Sequence, residues 1–283
     1  MKIIKDPRTL RKILNRYKKL GKTIGFVPTM GALHAGHLSL VRRARKENDA
    51  VVASIFVNPL QFGPAEDHAK YPRSLRRDAD LLKREKIDFL FTPPEKTFYR
   101  NDFETSVCVK FLSRPLCGIS RPHHFTGVCT VVLKLLNNVL PDRLYLGQKD
   151  YQQVRVVSQM VDDLDFPVKV VMAPIVREKD GLAMSSRNVY LSRKERQQAV
   201  FLHKALQKAA ILLRKKAKAP SDAKKEALKV LKSAKKLRLD YFEIVDAQTL
   251  RPVIQLKKHR PLLLAGAVYC GKTRLIDNVL IKG

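Results

Sequence analysis

Residues 23–57 read TIGFVPTMGALHAGHLSLVRRARKENDAVVASIFV. The stretch opens on an apolar, β-prone run from Thr23 to Val27. It closes on another, Ala50 to Val57, nearly continuous in apolar residues as a strand buried on both faces is. Between them Leu38, Val41 and Ala44 recur three apart and predict a helix running to Asn48. Strand, helix and strand within about 35 residues make a βαβ unit, whose crossover sets the two strands parallel. Pro28-Thr29-Met30-Gly31-Ala32-Leu33-His34-Ala35-Gly36-His37 falls at the strand-to-helix junction. Ala35 and Gly36 would let another group approach the backbone between two imidazoles. Free N–H groups at a helix start favour an anion such as phosphate, so the junction reads as a nucleotide-triphosphate site. Two ordinary loop histidines beside a turn would give the same four letters. A metal site is the weaker alternative, because no third His, Cys or carboxylate stands nearby at ligand spacing.

The same rhythm extends in both directions. Asp6-Pro7 starts a helix whose apolar face is Leu10, Ile13, Leu14, Tyr17 and Leu20, and Gly21 closes it. Further helices are predicted over 75–85, 126–140 and 150–163, and strands over 87–91, 106–111, 143–146 and 168–172. This alternation implies an α/β fold with a parallel sheet and helices on both faces, occupying residues 1–175. Ligands in such sheets sit beyond the carboxyl ends of the strands. Polar clusters follow four of those ends: residues 28–37, 58–64, 147–153, and Val176 with 184–188. From Arg193 the pattern changes. Ser192 and Glu195 form a capping box that opens a long helix, Ala219-Pro220-Ser221-Asp222 starts another, and strand-like runs follow over 240–245, 262–268 and 274–280. Residues 176–283 therefore read as a smaller α+β domain.

Composition narrows the class. A chain of 283 residues that is 45% hydrophobic can bury a real core. Met1-Lys2-Ile3-Ile4-Lys5-Asp6 lacks the apolar run of a signal peptide, and no stretch reaches the ~20 apolar residues of a membrane span. The four cysteines show no paired spacing, so reduced thiols and a cytoplasmic location are expected. Lys and Arg number 56 against 26 Asp and Glu, a formal charge of +30. Between Lys204 and Arg238, 13 basic residues face two acids, while Leu206, Ala210, Leu213, Ala227, Val230 and Leu231 keep helical spacing. That reads as lysine-covered helices in solvent, with no specific nucleic-acid motif beside them.

Several segments together resemble one family. Residues 28–37, Phe56-Val-Asn-Pro-Leu-Gln-Phe-Gly63, Tyr71-Pro-Arg73, Arg121-Pro-His-His-Phe-Thr-Gly127, Gly147-Gln-Lys-Asp-Tyr-Gln-Gln153 and Met184-Ser-Ser-Arg-Asn188 are similar to those of pantoate–β-alanine ligases. H-x-G-H alone marks a wider nucleotidylyltransferase superfamily. The resemblance implies a Rossmann-like ATP-binding domain with a smaller C-terminal lid domain, in a homodimer. It implies a two-step reaction on Mg-ATP with no tightly bound cofactor: pantoate attacks the α-phosphate to give pantoyl adenylate and pyrophosphate, then β-alanine displaces AMP.

By the same resemblance the catalytic residues are His34, His37 and Lys149, with proton donation assigned to the position of His37. ATP would contact Met30, Gly31, Ala32, Leu33, His34, Ala35, Gly36 and His37, then Gly147, Gln148, Lys149 and Asp150. It would also contact Val176, Met184, Ser185, Ser186 and Arg187. Pantoate would meet Gln61 and Gln153, and β-alanine Gln61. The chemistry suits these types. Imidazoles donate to phosphate, Lys149 supplies a point charge, Asp150 accepts from ribose and Arg187 offers a planar fork. Neutral amides orient a carboxylate without trapping it in an ion pair.

Other readings stay open at this point. Lys149-Asp150 also reads as a solvent ion pair, Ser185-Ser186 as a turn or helix cap, and Gln153 as a water-facing side chain. A different H-x-G-H nucleotidylyltransferase would share the histidines, although a phosphate acceptor calls for Arg or Lys at positions 61 and 153. A basic RNA-binding protein on the same fold is the third reading. Cys117, His123 and Thr126 depart from the family pattern, and they bear on loop geometry and dimer contacts rather than on the phosphate residues.

Overall fold

The computed structural model describes residues 1–64, 66–215, 219–257 and 259–282. They form two compact units. The first comprises Met1–Ser113, Arg121–Gln148 and Gln153–Pro174, and the second Arg114–Ser120, Lys149–Gln152 and Ile175–Gly283.

The first unit is built on six strands: β1 (Lys2–Ile4), β2 (Ile24–Thr29), β3 (Ala50–Ile55), β4 (Phe89–Phe91), β5 (Arg143–Gly147) and β6 (Lys169–Ala173). Their order is β1-β4-β3-β2-β5-β6 and every pairing is parallel. The central strands carry the apolar runs that two-sided burial demands: Ile24, Phe26 and Val27 on β2 and Ala50 to Ala53 on β3 are fully buried. The chain leaves β2 toward β3 and β4 on one side and returns through β5 and β6 on the other, so the order reverses beside β2. Ligands bind at such switch points.

Helices α1 (Pro7–Lys19), α2 (Ala35–Glu47), α3 (Leu75–Arg84), the single turn α4 (Glu95–Phe98), α6 (His124–Val139) and α7 (Tyr151–Asp163) connect them. Right-handed crossovers place α2 and α3 on one face of the sheet and α1 and α7 on the other. Leu40, Val41 and Ala44 of α2 and Leu82 of α3 share a core with Val27, Val51, Leu90 and Tyr145. Helix α1 packs on α6. Asp6 caps α1 by accepting from Thr9 N at 2.7 Å, as its sequence position predicts. Helix α6 is apolar nearly all round, and Val128, Cys129, Val131, Val132, Leu135, Leu136 and Val139 are all buried.

The second unit pairs a three-stranded antiparallel sheet, β7 (Leu237–Asp246), β8 (Leu262–Cys270) and β9 (Thr273–Ile281), with helices α8 (Arg193–Ala199), α9 (Phe201–Arg214) and α10 (Pro220–Lys232). The turn α5 (Cys117–Ser120) belongs to it too. Leu202, Leu206, Leu213, Ala227 and Leu231 pack with Phe242, Ile244, Leu264 and Val268. Several lysines of the basic segment have acidic partners: Lys224 with Glu243, Lys225 with Asp222, and Lys229 with Glu226. Lys216 and Lys218 of that segment lie outside the described residues.

Three expectations need correction, and one strand goes unpredicted. Residues 106–111 form no strand among the described residues; the backbone there is held by side chains, Val107 N donating to Thr130 Oγ1 at 3.0 Å and Ser113 Oγ to Val109 O. Alternating apolar residues report a half-buried surface, and a strand needs a ladder partner as well. The Ser192–Glu195 capping box is present, but the helix it opens ends at Ala199, and Val200 separates it from α9. The short edge strand β1 was not expected; it is held by β4. Helix α2 begins at Ala35 rather than Leu38, because His34 itself caps it. His123, one of the departures from the resembled pattern, has φ −96°, a backbone any residue adopts.

Candidate active site

In the first unit the loop after β2 is shaped by two left-handed residues, Gly31 (φ +85°) and Ala32 (φ +51°). The αL conformation at Ala32 is strained for a residue with a Cβ, and one carboxylate holds it. Asp78 on α3 is buried, accepting from Ala32 N through Oδ2 at 2.8 Å and from Leu33 N through Oδ1 at 2.9 Å. Thr29 Oγ1 accepts from Gly31 N at 3.2 Å and donates to Ser54 O. The loop is thereby fixed before it reaches the histidines.

His34 is the N-cap of α2, and its Nδ1 accepts from Gly36 N at 3.1 Å. His37 Nδ1 accepts from His34 N at 3.4 Å, completing a capping box made of two imidazoles. The rings lie with centroids 4.0 Å apart. A nitrogen that accepts carries no proton, so each ring presents an unprotonated Nδ1 to the backbone N–H it caps. Both rings stand at the start of a helix whose dipole favours an anion. The helix cap thus sets how each imidazole ring is turned.

Gln61 ends the short turn Pro59–Gln61 that follows β3. Its Nε2 lies 3.2 Å from Met30 Sδ, so the first unit brings Met30 and Gln61 together. Its backbone carbonyl accepts from Arg121 Nη2 at 3.1 Å and contacts His124 Nδ1 at 2.9 Å. Arg121 also forks onto Glu66 through Nε and Nη2. Burial pushes the Glu66 carboxyl up, but the Arg121 guanidinium outweighs it and holds the group below its ordinary value. Gly127 makes this packing possible: a Cβ there would sit 2.1 Å from Leu60 O and 2.6 Å from Gln61 N. Asn58, 1% exposed, ties the turn to α6 by donating to Gln61 Oε1 and to Gly127 O, both at 3.0 Å.

Gly147 and Gln148 follow the register of β5, where Gly147 faces Ala173 of β6. A Cβ on Gly147 would meet nothing within 4 Å among the described residues. Gln153 is half-buried in the first turn of α7.

In the second unit, Lys149 Nζ is 3.7 Å from Asp150 Oδ1, an ion pair whose carboxylate side chain is 45% exposed. Lys149 O accepts from Asn278 Nδ2 at 3.0 Å. Val176 and Met184 meet at the stem of a hairpin, Met184 N donating to Val176 O at 3.0 Å. Arg177, next in the hairpin, forks onto buried Asp277 at 2.6 and 2.9 Å. Gly181 turns the hairpin at φ +97°, packed against the His203 ring. Ser185 Oγ accepts from Arg187 N at 3.2 Å, capping the 3₁₀ turn Ser186–Tyr190. Asn188 fastens that turn to Glu178 and Ala183.

The sequence motifs name the residues with chemistry to offer and miss those that hold them. Asp78 and Tyr99, whose hydroxyl donates to Asn58 Oδ1 at 2.9 Å, sit outside those motifs, and Asn58 stands inside one without an assigned role. Only their pairing across the fold marks them.

Residues 2–280 match the family model described as Pantoate-beta-alanine ligase. A pantothenate synthetase of Pseudothermotoga lettingae is 52% identical over 281 residues, 99% of both chains. That of Caldicellulosiruptor saccharolyticus is 49% identical over the full length of both. Among solved structures, pantothenate synthetase from Thermus thermophilus aligns at a TM-score of 0.92 and 45% identity, covering 99% of each chain. A pantoate-beta-alanine ligase from Francisella tularensis, complexed with beta-gamma ATP and beta-alanine, aligns at 0.81 and 37% identity, covering 99% of this chain and 97% of that one.

Proposed function

The chain belongs to the pantoate-beta-alanine ligase family, and from that premise we propose that it condenses pantoate with β-alanine, cleaving ATP to AMP and pyrophosphate. The observation that carries this reading is the pair of imidazoles capping α2 beside the sheet's switch point, each aimed by the backbone N–H that its Nδ1 accepts from. In the first step the pantoate carboxylate attacks the α-phosphorus and pyrophosphate leaves, giving pantoyl adenylate. Charge shifts toward the leaving phosphates as the P–O bond breaks. Donors already aimed by the backbone stabilise that charge without reorganising. His37 and His34 take this role, and Lys149 adds a cation at the α-phosphate.

The remaining assignments follow the same logic. Met30 to Leu33, with Ala35 and Gly36, line the phosphate approach. Gly147 lacks a Cβ where one would meet no neighbour, which suits close contact with a nucleotide. Gln148 and Asp150 serve the ribose side, and the backbone of Val176 and Met184 reads the base. Ser185, Ser186 and Arg187 hold the β- and γ-phosphates. Gln61 and Gln153 hold pantoate, and Gln61 also receives β-alanine. In the second step the amine attacks the acyl carbon, AMP departs, and the amide of pantothenate forms.

Magnesium would enter with ATP and would neutralise charge on its phosphates. Among the described residues no group of three His, Cys, Asp or Glu side chains is placed to hold a metal ion. Residues 1–175 supply the pantoate subsite and part of the nucleotide subsite, and 176–283 act as the lid and supply the remaining nucleotide contacts. The chain works as a cytoplasmic homodimer. Among the described residues no helix is long and apolar enough to cross a membrane.

The deciding experiment measures AMP release from ATP with each substrate omitted in turn. Turnover requires both pantoate and β-alanine, and pantoate alone supports pyrophosphate–ATP exchange. Exchange that is absent with pantoate, or independent of it, overturns the adenylate route.

A further inference from the structure

An amide side chain is nearly symmetric in shape, and its neighbours decide which end faces a ligand. Around Gln61 that decision is traceable to the backbone. Asn58 is buried between Gly127 O, which only accepts, and Leu60 N, which only donates. The carbonyl of Gly127 must face Asn58 Nδ2, at 3.0 Å, and Leu60 N must face Oδ1, at 3.3 Å. Asn58 has one orientation that satisfies both. Its Nδ2 then also donates to Gln61 Oε1 at 3.0 Å. The Gln61 oxygen is thus committed inward, and its Nε2 is left to face outward past Met30 Sδ, a weak acceptor.

The Leu60 contact is long for a hydrogen bond, so it anchors Oδ1 loosely. The stronger partner of Oδ1 is the Tyr99 hydroxyl, at 2.9 Å. Tyr99 itself is locked. Its ring packs against Phe98, Phe103 and Phe56, with centroids 5.3, 4.9 and 5.8 Å away. Lys134 Nζ lies over the rings of Phe98, Tyr99 and Phe103 at 5.1, 5.8 and 4.9 Å. A phenol held this way directs its O–H at one point. With Oδ1 already accepting from Leu60 N, Tyr99 is the donor.

We infer that Tyr99 is a positioning residue for the reaction: through Asn58 it fixes Gln61 with Nε2 outward, so the group Gln61 receives is a hydrogen-bond acceptor, the carboxylate or a hydroxyl oxygen of the acid substrate. The inference rests on the ligase reading for the identity of that substrate. The orientation itself depends only on residues of the first unit.

Tyr99→Phe removes one hydroxyl and keeps the ring. The pantoate KM rises about tenfold, the size expected for one buried hydrogen bond in a relay, while the ATP KM and the melting temperature change little. Asn58→Asp goes further. It removes the donor to Gln61 Oε1, turns the Gln61 amide nitrogen inward and raises the pantoate KM beyond the Tyr99→Phe value.

A measurement without substrate accompanies both. The side-chain NH2 of Gln61, assigned by its loss in Gln61→Glu, is rigid by ¹⁵N relaxation in the wild-type chain and mobile in Tyr99→Phe. An unchanged pantoate KM in Tyr99→Phe, an equal rise in the ATP KM, or a Gln61 amide equally rigid in both chains overturns the inference. If the wild-type chain shows no pantoate-dependent turnover, the ligase reading fails, and the relaxation experiment still decides the relay.

Discussion

Gly127→Ala adds a single methyl group at the tightest approach in the first unit. The new Cβ would lie 2.1 Å from Leu60 O and 2.4 Å from Leu60 C, whereas ordinary contact begins near 3.4 Å. Both obstacles are backbone, so no side chain can swing aside. The Pro59–Gln61 turn must retreat from α6 by about 1.3 Å to restore contact distance. That retreat stretches the Asn58 bond to Gly127 O and carries Gln61 with it. A displacement near 1 Å in a positioned group costs on the order of 100-fold in rate. We expect kcat/KM for pantoate to fall by about that factor.

Stability moves less in the same variant. Overpacking costs ~1–3 kcal/mol, offset by the ~1 kcal/mol that alanine gains over glycine inside a helix. ATP affinity changes little, because Asp78 and the α2 cap hold the phosphate loop independently of this turn. The assay is steady-state kinetics with pantoate and ATP varied separately, beside a thermal melt. A variant with native kcat/KM for pantoate refutes the reasoning. So does one that loses ATP and pantoate binding equally.

Three further outcomes are expected. His37→Ala lowers kcat by ~10²–10⁴-fold, the usual range for a lost proton donor, while losing about 1 kcal/mol of stability with its share of the cap; comparable collapse of folding and turnover would reduce His37 to a structural residue. Asp78→Asn keeps the shape but leaves one backbone N–H facing an amide nitrogen, which costs ~1–3 kcal/mol; the ATP KM rises more than the pantoate KM, and the opposite order counts against the loop-holding role. The third outcome concerns acid. Glu66 is held below its ordinary 4.5 in the fold, so the Arg121 bond stabilises the chain fully above that pH and loses its effect as pH falls through the lower native value. The melting-temperature gap between wild type and Glu66→Gln therefore narrows between pH 6 and pH 3, and a constant gap would contradict the assignment.

The parallel sheet was legible because its central strands are buried on both faces and its helices on one. Apolar periodicity records that difference directly, as Ala50 to Ala53 and Leu40, Val41 and Ala44 show. Residues 106–111 misled because their alternation describes partial burial, and nothing in the local sequence says whether a ladder partner exists. Strand β1 is three residues long, too short for a period to emerge, and takes its conformation from β4. Val200 ends α8 with no glycine or proline to announce it. At the site, H-x-G-H carries its meaning in adjacent residues. Asp78 acts 45 positions away from Leu33, and Tyr99 acts 41 away from Asn58. Their neighbours in sequence say nothing of either partner.

The capping of α2 by His34 and His37 has a consequence for how this strongly basic chain meets a polyanion. Most of its 56 Lys and Arg act through charge, and dissolved ions within about 10 Å screen that attraction at 0.1 M salt. Two rings whose Nδ1 atoms accept from the backbone are aimed by hydrogen bonds instead. In the proposed site their grip on a phosphate is directional and short-ranged, and it is expected to persist when the ionic atmosphere thickens. Raising ionic strength should therefore strip away diffuse attraction to any anionic polymer while leaving the histidine contacts to a single nucleotide in place. Within one molecule, ionic strength separates what its overall charge attracts from what its helix cap selects.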